Sequence, residues 1–174
     1  MGGADRFLAF IGDELRPWVQ DRFGVDAADS TYFGHSLGGL FGTYVLLTEP
    51  TSFGRYGIGS PSLWWHEEII FEHETRYAEG HDDLPAKVFY SIGEYENYDG
   101  RQRESERLSA HERAQASLRY VDMVADTERL VASLRTREYP NLEMASVVLP
   151  GEFHITVPLM NLSRSLRYLF DAPA

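Results

Sequence analysis

Apolar residues near the start of the chain recur at steps of three and four. Phe7, Leu8, Ile11, Leu15, Trp18 and Val19 fall on one side of a helix spanning residues 5–23, and Gly24 offers it a C-terminal stop. A short β-prone run at residues 30–34 follows, then a second apolar helical stretch at residues 37–48 that Glu49-Pro50 ends. The segment reads as strand, sharp turn, helix. A weak strand is predicted at residues 56–59, before the aromatic loop Ser60-Pro61-Ser62-Leu63-Trp64-Trp65. A stronger strand covers residues 87–92 and ends in Gly93 and the acidic tip Glu94-Tyr95-Glu96-Asn97-Tyr98-Asp99-Gly100. Residues 101–137 contain no Gly or Pro. Mixed charges cover one side there, and Leu118, Val121, Met123, Val124, Leu130, Val131 and Leu134 supply the apolar positions of one long helix or two abutting ones. Residues 142–149 form the clearest strand, Pro150-Gly151-Glu152-Phe153-His154 a turn, and residues 159–170 a last amphipathic helix. Strands alternating with helices of this length predict an α/β fold with a mainly parallel sheet flanked by helices, in a single domain over 1–174.

Composition narrows the chemistry. With 174 residues, 43% hydrophobic and 25% charged, the chain has the proportions of a folded domain rather than a disordered tail. Sixteen Lys and Arg against 27 Asp and Glu give a formal charge of −11, which repels phosphate backbones and argues against nucleic acid as a partner. The absence of Cys removes disulfides, thiol nucleophiles and zinc ribbons, so a nucleophile has to be Ser, Thr, Lys or a carboxylate. No stretch approaches the ~18 uninterrupted apolar residues of a membrane span. Asp5 and Arg6 stand where a signal peptide would turn apolar, so the expected location is cytoplasmic, with export left open because Met1 is not taken as the natural start.

Gly34-His35-Ser36-Leu37-Gly38 fits G-x-S-x-G and lies between a predicted strand and a helix, the context in which that motif presents a nucleophile. Serine on so tight a turn has strained backbone angles. Small residues two positions to either side are expected to let strand and helix approach closely. The helix start behind Ser36 points amides at the same spot, so the Leu37 N–H is a candidate oxyanion donor. Outside such a context the same residues make an ordinary Gly-rich turn with a capping Ser. Of the six histidines, His66, His73, His81 and His111 lie in charged or helical segments typical of solvated surface. His35 adjoins Ser36 and is read as structural or pocket-lining. His154 follows the last strong strand on a Pro-Gly turn, which gives the chain order Ser, acid, His and makes it the candidate base. A carboxylate is needed between them to fix the imidazole tautomer, and Glu94, Glu96 and Asp99 all qualify by position. The run His66-Glu67-Glu68 through His73-Glu74 matches no zinc spacing and reads as a charged surface helix.

Four landmarks occur in order: Phe33-Gly34-His35-Ser36-Leu37-Gly38-Gly39-Leu40-Phe41, Ser60-Pro61-Ser62-Leu63-Trp64-Trp65, Ser91-Ile92-Gly93-Glu94-Tyr95-Glu96 and Gly151-Glu152-Phe153-His154. Together they resemble the esterase D group of the α/β-hydrolase superfamily, which includes enterochelin-type siderophore esterases, S-formylglutathione hydrolases, feruloyl esterases and mycolyltransferases. The Ser-Pro-Ser-Leu-Trp-Trp segment is most similar to the siderophore-esterase branch. The resemblance implies a serine carboxylesterase acting without cofactor or metal on a small-molecule ester, with Ser36 as nucleophile and His154 as base. It favours Glu96 as acid, three residues after the Gly that ends the strand, although some siderophore esterases of this type work as a Ser-His dyad. Trp64 and Trp65 are then expected to wall the acyl or catechol-binding side of the pocket.

Members of that group carry a further N-terminal half, which supplies the first strands and a second oxyanion donor, so the resemblance implies that this chain is expected to correspond to the C-terminal portion of the fold. The strand at residues 30–34 would thus leave an open edge, and the expectation is a homodimer or higher homo-oligomer that covers it. Two alternative activities share these residues: an acyltransferase, and a non-catalytic binding or oligomeric scaffold.

Overall fold

The computed structural model describes residues 2–26, 28–106, 109 and 121–170. Four strands, β1 (Thr31–His35), β2 (Arg55–Gly59), β3 (Ala86–Gly93) and β4 (Leu142–Leu149), lie side by side in chain order, and every neighbouring pair is parallel. Parallel neighbours require crossovers, and helices provide them. Helix α3 (Leu37–Leu46) connects β1 to β2, and α4 (Trp65–Gly80) connects β2 to β3. Between β3 and β4 lie α5 (Tyr98–Glu106) and α6 (Met123–Thr136), and α7 (Val157–Phe170) follows β4. His111 and Leu118 lie outside the described residues.

Side chains alternate across the sheet with period two. Tyr32, Tyr56, Ile58, Val88, Tyr90 and Met144 join the core that Val45, Leu46, Leu130, Val131 and Leu134 complete from α3 and α6. On the opposite face Phe89 meets Tyr168 of α7, ring centroids 5.6 Å apart. There a Cβ on Gly57 would touch Ser165, and one on Gly59 would lie 2.6 Å from the Asn161 amide nitrogen, so α7 rides close over β2. Both faces of β3 are covered, which is why its sequence is an almost unbroken apolar run. Glu74 and Arg137 clamp α4 to the end of α6 through paired bonds of 2.9 and 3.1 Å.

The N-terminal helix forms as predicted but buries little. It runs as α1 (Ala4–Ala9), a π-helical turn over Phe10–Leu15 and α2 (Arg16–Phe23), then stops at Gly24 in the left-handed conformation, φ 64°. Pro17, which lacks an N–H, opens α2 directly after the widened turn. Leu8 is the one buried residue of these three segments. Phe7 is 52% and Trp18 59% exposed. The face that periodicity assigns to a core is therefore mostly open: Leu8 and Ile11 reach the core, Phe7 meets the Phe41 ring of α3 at 5.1 Å, and the remainder of the face finds no such partner among the described residues.

Candidate active site

The strand register brings the C-terminal ends of the sheet level, with Gly59 opposite both His35 and Ser91, and Gly93 opposite Leu149. All the residues singled out for chemistry leave from that edge, where crevices open in parallel α/β sheets. Ser36 follows β1 with φ 59° and ψ −120°, a conformation that a residue with a Cβ seldom adopts. Its N–H donates to the Gly59 carbonyl at 3.0 Å, and the Leu40 N–H donates to its carbonyl at 2.9 Å, so the turn is tied on both sides. A Cβ on Gly34 would lie 2.6 Å from the Gly38 carbonyl oxygen, and one on Gly39 2.8 Å from that of Gly59. A Cβ on Gly38 would meet nothing nearer than the Tyr32 hydroxyl at 3.7 Å. The tight positions are thus Gly34 and Gly39 rather than Gly34 and Gly38, since the helix approaches the sheet closely one residue later than the motif suggests. The Tyr32 hydroxyl donates to the Gly38 carbonyl at 2.5 Å and pins the first turn of α3. The Leu37 N–H belongs to the first turn of α3, where helical acceptors are lacking and the positive end of the helix lies.

The loops after β3 and β4 are sewn to each other. The Tyr95 N–H donates to the Glu152 carbonyl at 3.1 Å, the Gly151 N–H to the Glu94 carboxylate at 2.7 Å, and the Tyr95 and Phe153 rings lie 4.7 Å apart. That stitching sets Glu96 against His154. His154 Nδ1 lies 2.5 Å from Glu96 Oε2, and its Nε2 lies 3.0 Å from Ser36 Oγ. Of the three candidate carboxylates, Glu96 is the one brought to the imidazole; it is 1% exposed, whereas Glu94 and Asp99 are exposed. Burial would raise its pKa, but hydrogen bonds from His154, Ser60 and the Gly93 N–H outweigh that and hold the carboxyl below the usual range. With an anion on Nδ1, the proton of a neutral imidazole sits there and Nε2 is left as an acceptor facing Ser36.

Two serines that the pattern reading passed over as loop residues complete the arrangement. Ser60, buried and with φ 42°, donates from Oγ to Glu96 Oε1 at 2.5 Å. Ser62, 2% exposed, places Oγ 3.3 Å from Ser36 Oγ, and its N–H donates to the Ser36 carbonyl at 3.1 Å. The available signal was their position, directly after a strand that ends level with the Ser36 elbow.

His35 stands beside His154, their ring centroids 4.6 Å apart. Burial, and then the neighbouring His154, push its pKa below the ordinary imidazole value. Trp64 is half-buried and Trp65 is 48% exposed, with ring centroids 5.8 Å apart. His81 stacks on Tyr77 at 4.2 Å, and His73 meets the edge of Tyr44 at 5.3 Å. Among the described residues no cluster of His, Asp and Glu is arranged to hold a metal ion, and no helix is long and apolar enough to cross a membrane.

Relatives share both sequence and architecture. The chain is 34% identical to a siderophore triacetylfusarinine C esterase of Aspergillus fumigatus, over 98% of its own length and 59% of the relative's. It is 30% identical to the ferri-bacillibactin esterase BesA of Bacillus subtilis, over 96% of its length and 52% of the relative's. The solved siderophore hydrolase EstA from Aspergillus nidulans superposes with a TM-score of 0.75 at 30% identity, covering 97% of this chain and 56% of that one. The chain thus spans between about half and three fifths of the relatives it matches. The model of the esterase family, described as "Putative esterase", matches residues 1–126, which include the whole Ser36 elbow and the loop carrying Glu96. That match covers well over half of the sequence, and on it the chain belongs to the esterase family.

Proposed function

We propose that the chain carries the catalytic centre of a serine carboxylesterase, a reading carried by one observation: His154 bridges the Ser36 hydroxyl and the buried Glu96 carboxylate. Ser36 is the nucleophile, His154 the base and Glu96 the group that orients and stabilises the imidazolium. The Ser36 proton passes to His154 Nε2 as Oγ attacks the ester carbonyl, and the Leu37 N–H stabilises the tetrahedral oxyanion. The imidazolium then protonates the leaving alkoxide. Water, deprotonated by the same nitrogen, releases the acid and restores Ser36. His35, Trp64 and Trp65 line the substrate side. The names of the relatives support a siderophore-type ester, and the net charge of −11 favours a small-molecule ester over nucleic acid.

The reading is tested with short-chain p-nitrophenyl esters and a fluorophosphonate probe. Hydrolysis and labelling that both vanish in Ser36→Ala support it; a folded wild type that does neither overturns it in favour of a binding scaffold.

We also propose that a second copy of the chain covers the outer edge of β1. That strand ends the sheet and carries Phe33, 39% exposed, while Phe7, Phe10, Trp18 and Phe23 of the preceding N-terminal helix are open. Analytical ultracentrifugation at micromolar concentration is expected to report a dimer or larger homo-oligomer; a monomer with a native near-UV spectrum rejects it.

A further inference from the structure

A cavity of about 640 Å³ lies between α3 and α4 and is capped by the start of α1. We propose that it is the acyl-binding pocket of the esterase and that it selects medium-length aliphatic acyl groups over acetyl. This inference rests on the serine-esterase reading of Ser36. Two of its walls depart from the nucleophile. Leu37 and Gly38, the residues that follow Ser36, form one side. Trp65 forms another, and the Ser62-to-Trp65 turn that carries it is fastened to Ser36 through the Ser62 N–H and to itself through the Trp65 N–H, which donates to the Ser62 carbonyl at 3.1 Å.

From that end the two helices run side by side. The lining continues along α3 through Leu40 and Phe41 to Tyr44, and along α4 through Ile69 to His73, where the Tyr44 ring meets the imidazole. Tyr44 lies seven positions along the helix from Leu37, a depth of about 10 Å. The walls are mainly apolar, with Tyr32 and His66 among them near the Leu37 end. At the far end the Tyr44 hydroxyl is engaged by Asp5. A volume of this size is within the range that holds drug-sized organic groups and far exceeds what an acetyl group fills.

The place of the cavity beside Leu37 and Gly38 assigns its occupant. The leaving alkoxide takes its proton from His154 Nε2, so the alkoxy part of the substrate lies toward His154. The carbonyl oxygen points at the Leu37 N–H. The remaining substituent on the carbonyl carbon, the acyl chain, is directed away from His154, along the wall formed by Leu37 and Gly38. Leu37 is itself 53% exposed, an apolar surface offered beside the reacting carbon. Burying a chain against such walls contributes about 0.8 kcal/mol per CH₂ in transfer terms, which favours longer acyl groups until the Tyr44 end is reached.

The experiment compares p-nitrophenyl acetate with p-nitrophenyl octanoate, in the wild type, in Ile69→Trp, which fills the cavity, and in Ile69→Ala, which enlarges it. Octanoate and acetate binding are measured separately by calorimetry on the same proteins. The expected result is a kcat/KM at least tenfold higher for the octanoyl ester in the wild type. Ile69→Trp abolishes that preference and octanoate binding, while acetyl ester hydrolysis stays within about twofold. Ile69→Ala folds without added bulk and shifts the optimum to longer chains. Acetyl ester hydrolysis with no chain-length preference, or equal losses on both esters in a folded Ile69→Trp, overturns the pocket and leaves the esterase reading standing. Failure to hydrolyse either ester and to bind octanoate overturns both.

Discussion

The Ser62 hydroxyl lies 3.3 Å from that of Ser36 and, by proton bookkeeping, donates to it. The Glu96 carboxylate fixes the imidazole proton on Nδ1, so Nε2 accepts and the single Ser36 proton is committed to His154. Ser36 Oγ is then an acceptor toward Ser62. The result is a directed chain in which Ser62 holds Ser36 Oγ in the rotamer that faces His154. Ser62→Ala removes one neutral hydrogen bond, worth about 0.5–1.5 kcal/mol, and is expected to slow fluorophosphonate labelling roughly three- to tenfold. Labelling rates that match the wild type would show that Ser36 needs no such support.

At the other end of the chain Ser60 donates to Glu96 Oε1. Ser60→Ala leaves the carboxylate one charge-assisted bond short, a loss of about 1.5–3 kcal/mol of stabilisation of the anion. The Glu96 pKa is expected to rise in the variant, read by the acid shift of thermal unfolding. Ser62→Ala is expected to leave that shift unchanged, which separates the two serines.

Glu96→Gln keeps the shape of the side chain and removes its charge. The amide can present an N–H to His154 and favour the wrong tautomer, so kcat is expected to fall by about 10³- to 10⁴-fold. A fall below about tenfold in steady-state assays would identify a Ser-His dyad in place of the three-residue chain.

Stability should fall in two stages as pH is lowered. His35 has a folded pKa below its ordinary 6.5, so between those values the unfolded chain binds a proton that the native one refuses, and stability rises with pH through that window. Its contribution is complete above 6.5. Glu96 has a folded pKa below its ordinary 4.5, so its contribution is present above 4.5 and is lost as pH falls through the folded value. Thermal melts of His35→Gln are expected to show a shallower first stage, His73 being lowered in the same window, and those of Glu96→Gln a shallower second, to which Asp83 also contributes. A His35→Gln profile superimposable on the wild type would contradict the assignment.

Glycines provide a packing test. A Cβ at position 39 would press on two backbone atoms, the Gly59 carbonyl oxygen at 2.8 Å and the Pro61 Cα at 3.0 Å, so Gly39→Ala is expected to cost about 1–3 kcal/mol in chemical denaturation. At Gly12, in the N-terminal helix, nothing lies within 4 Å, and Gly12→Ala is expected to gain about 0.5–1 kcal/mol. Equal effects at the two positions would remove the case for close approach at the elbow.

The order of strands and helices was legible because strand-forming runs and helical spacing are local properties: residues 142–149 are a mainly apolar run bounded by turn residues, and they form β4 with those limits. The Ser36 elbow and the candidacy of His154 were legible for a related reason, since a motif between strand and helix, and a His on a turn after the last strand, carry their geometry in short stretches of chain. Glu96 was singled out from Glu94 and Asp99 only by resemblance. What separates them physically is burial under the stitched β3 and β4 loops, which no local pattern encodes. Ser60 and Ser62 acquire their partners only when parallel pairing sets the ends of β1, β2 and β3 level. The open face of the N-terminal helix is the converse case, where an amphipathic pattern fixes the helix but leaves its partner to the rest of the fold. Sequence alone determined the elements and the chemical types at their ends. Tertiary structure decided which hydroxyl, imidazole and carboxylate meet, because hydrogen bonds act over about 3 Å and only the packed sheet brings residues 36, 96 and 154 within that reach.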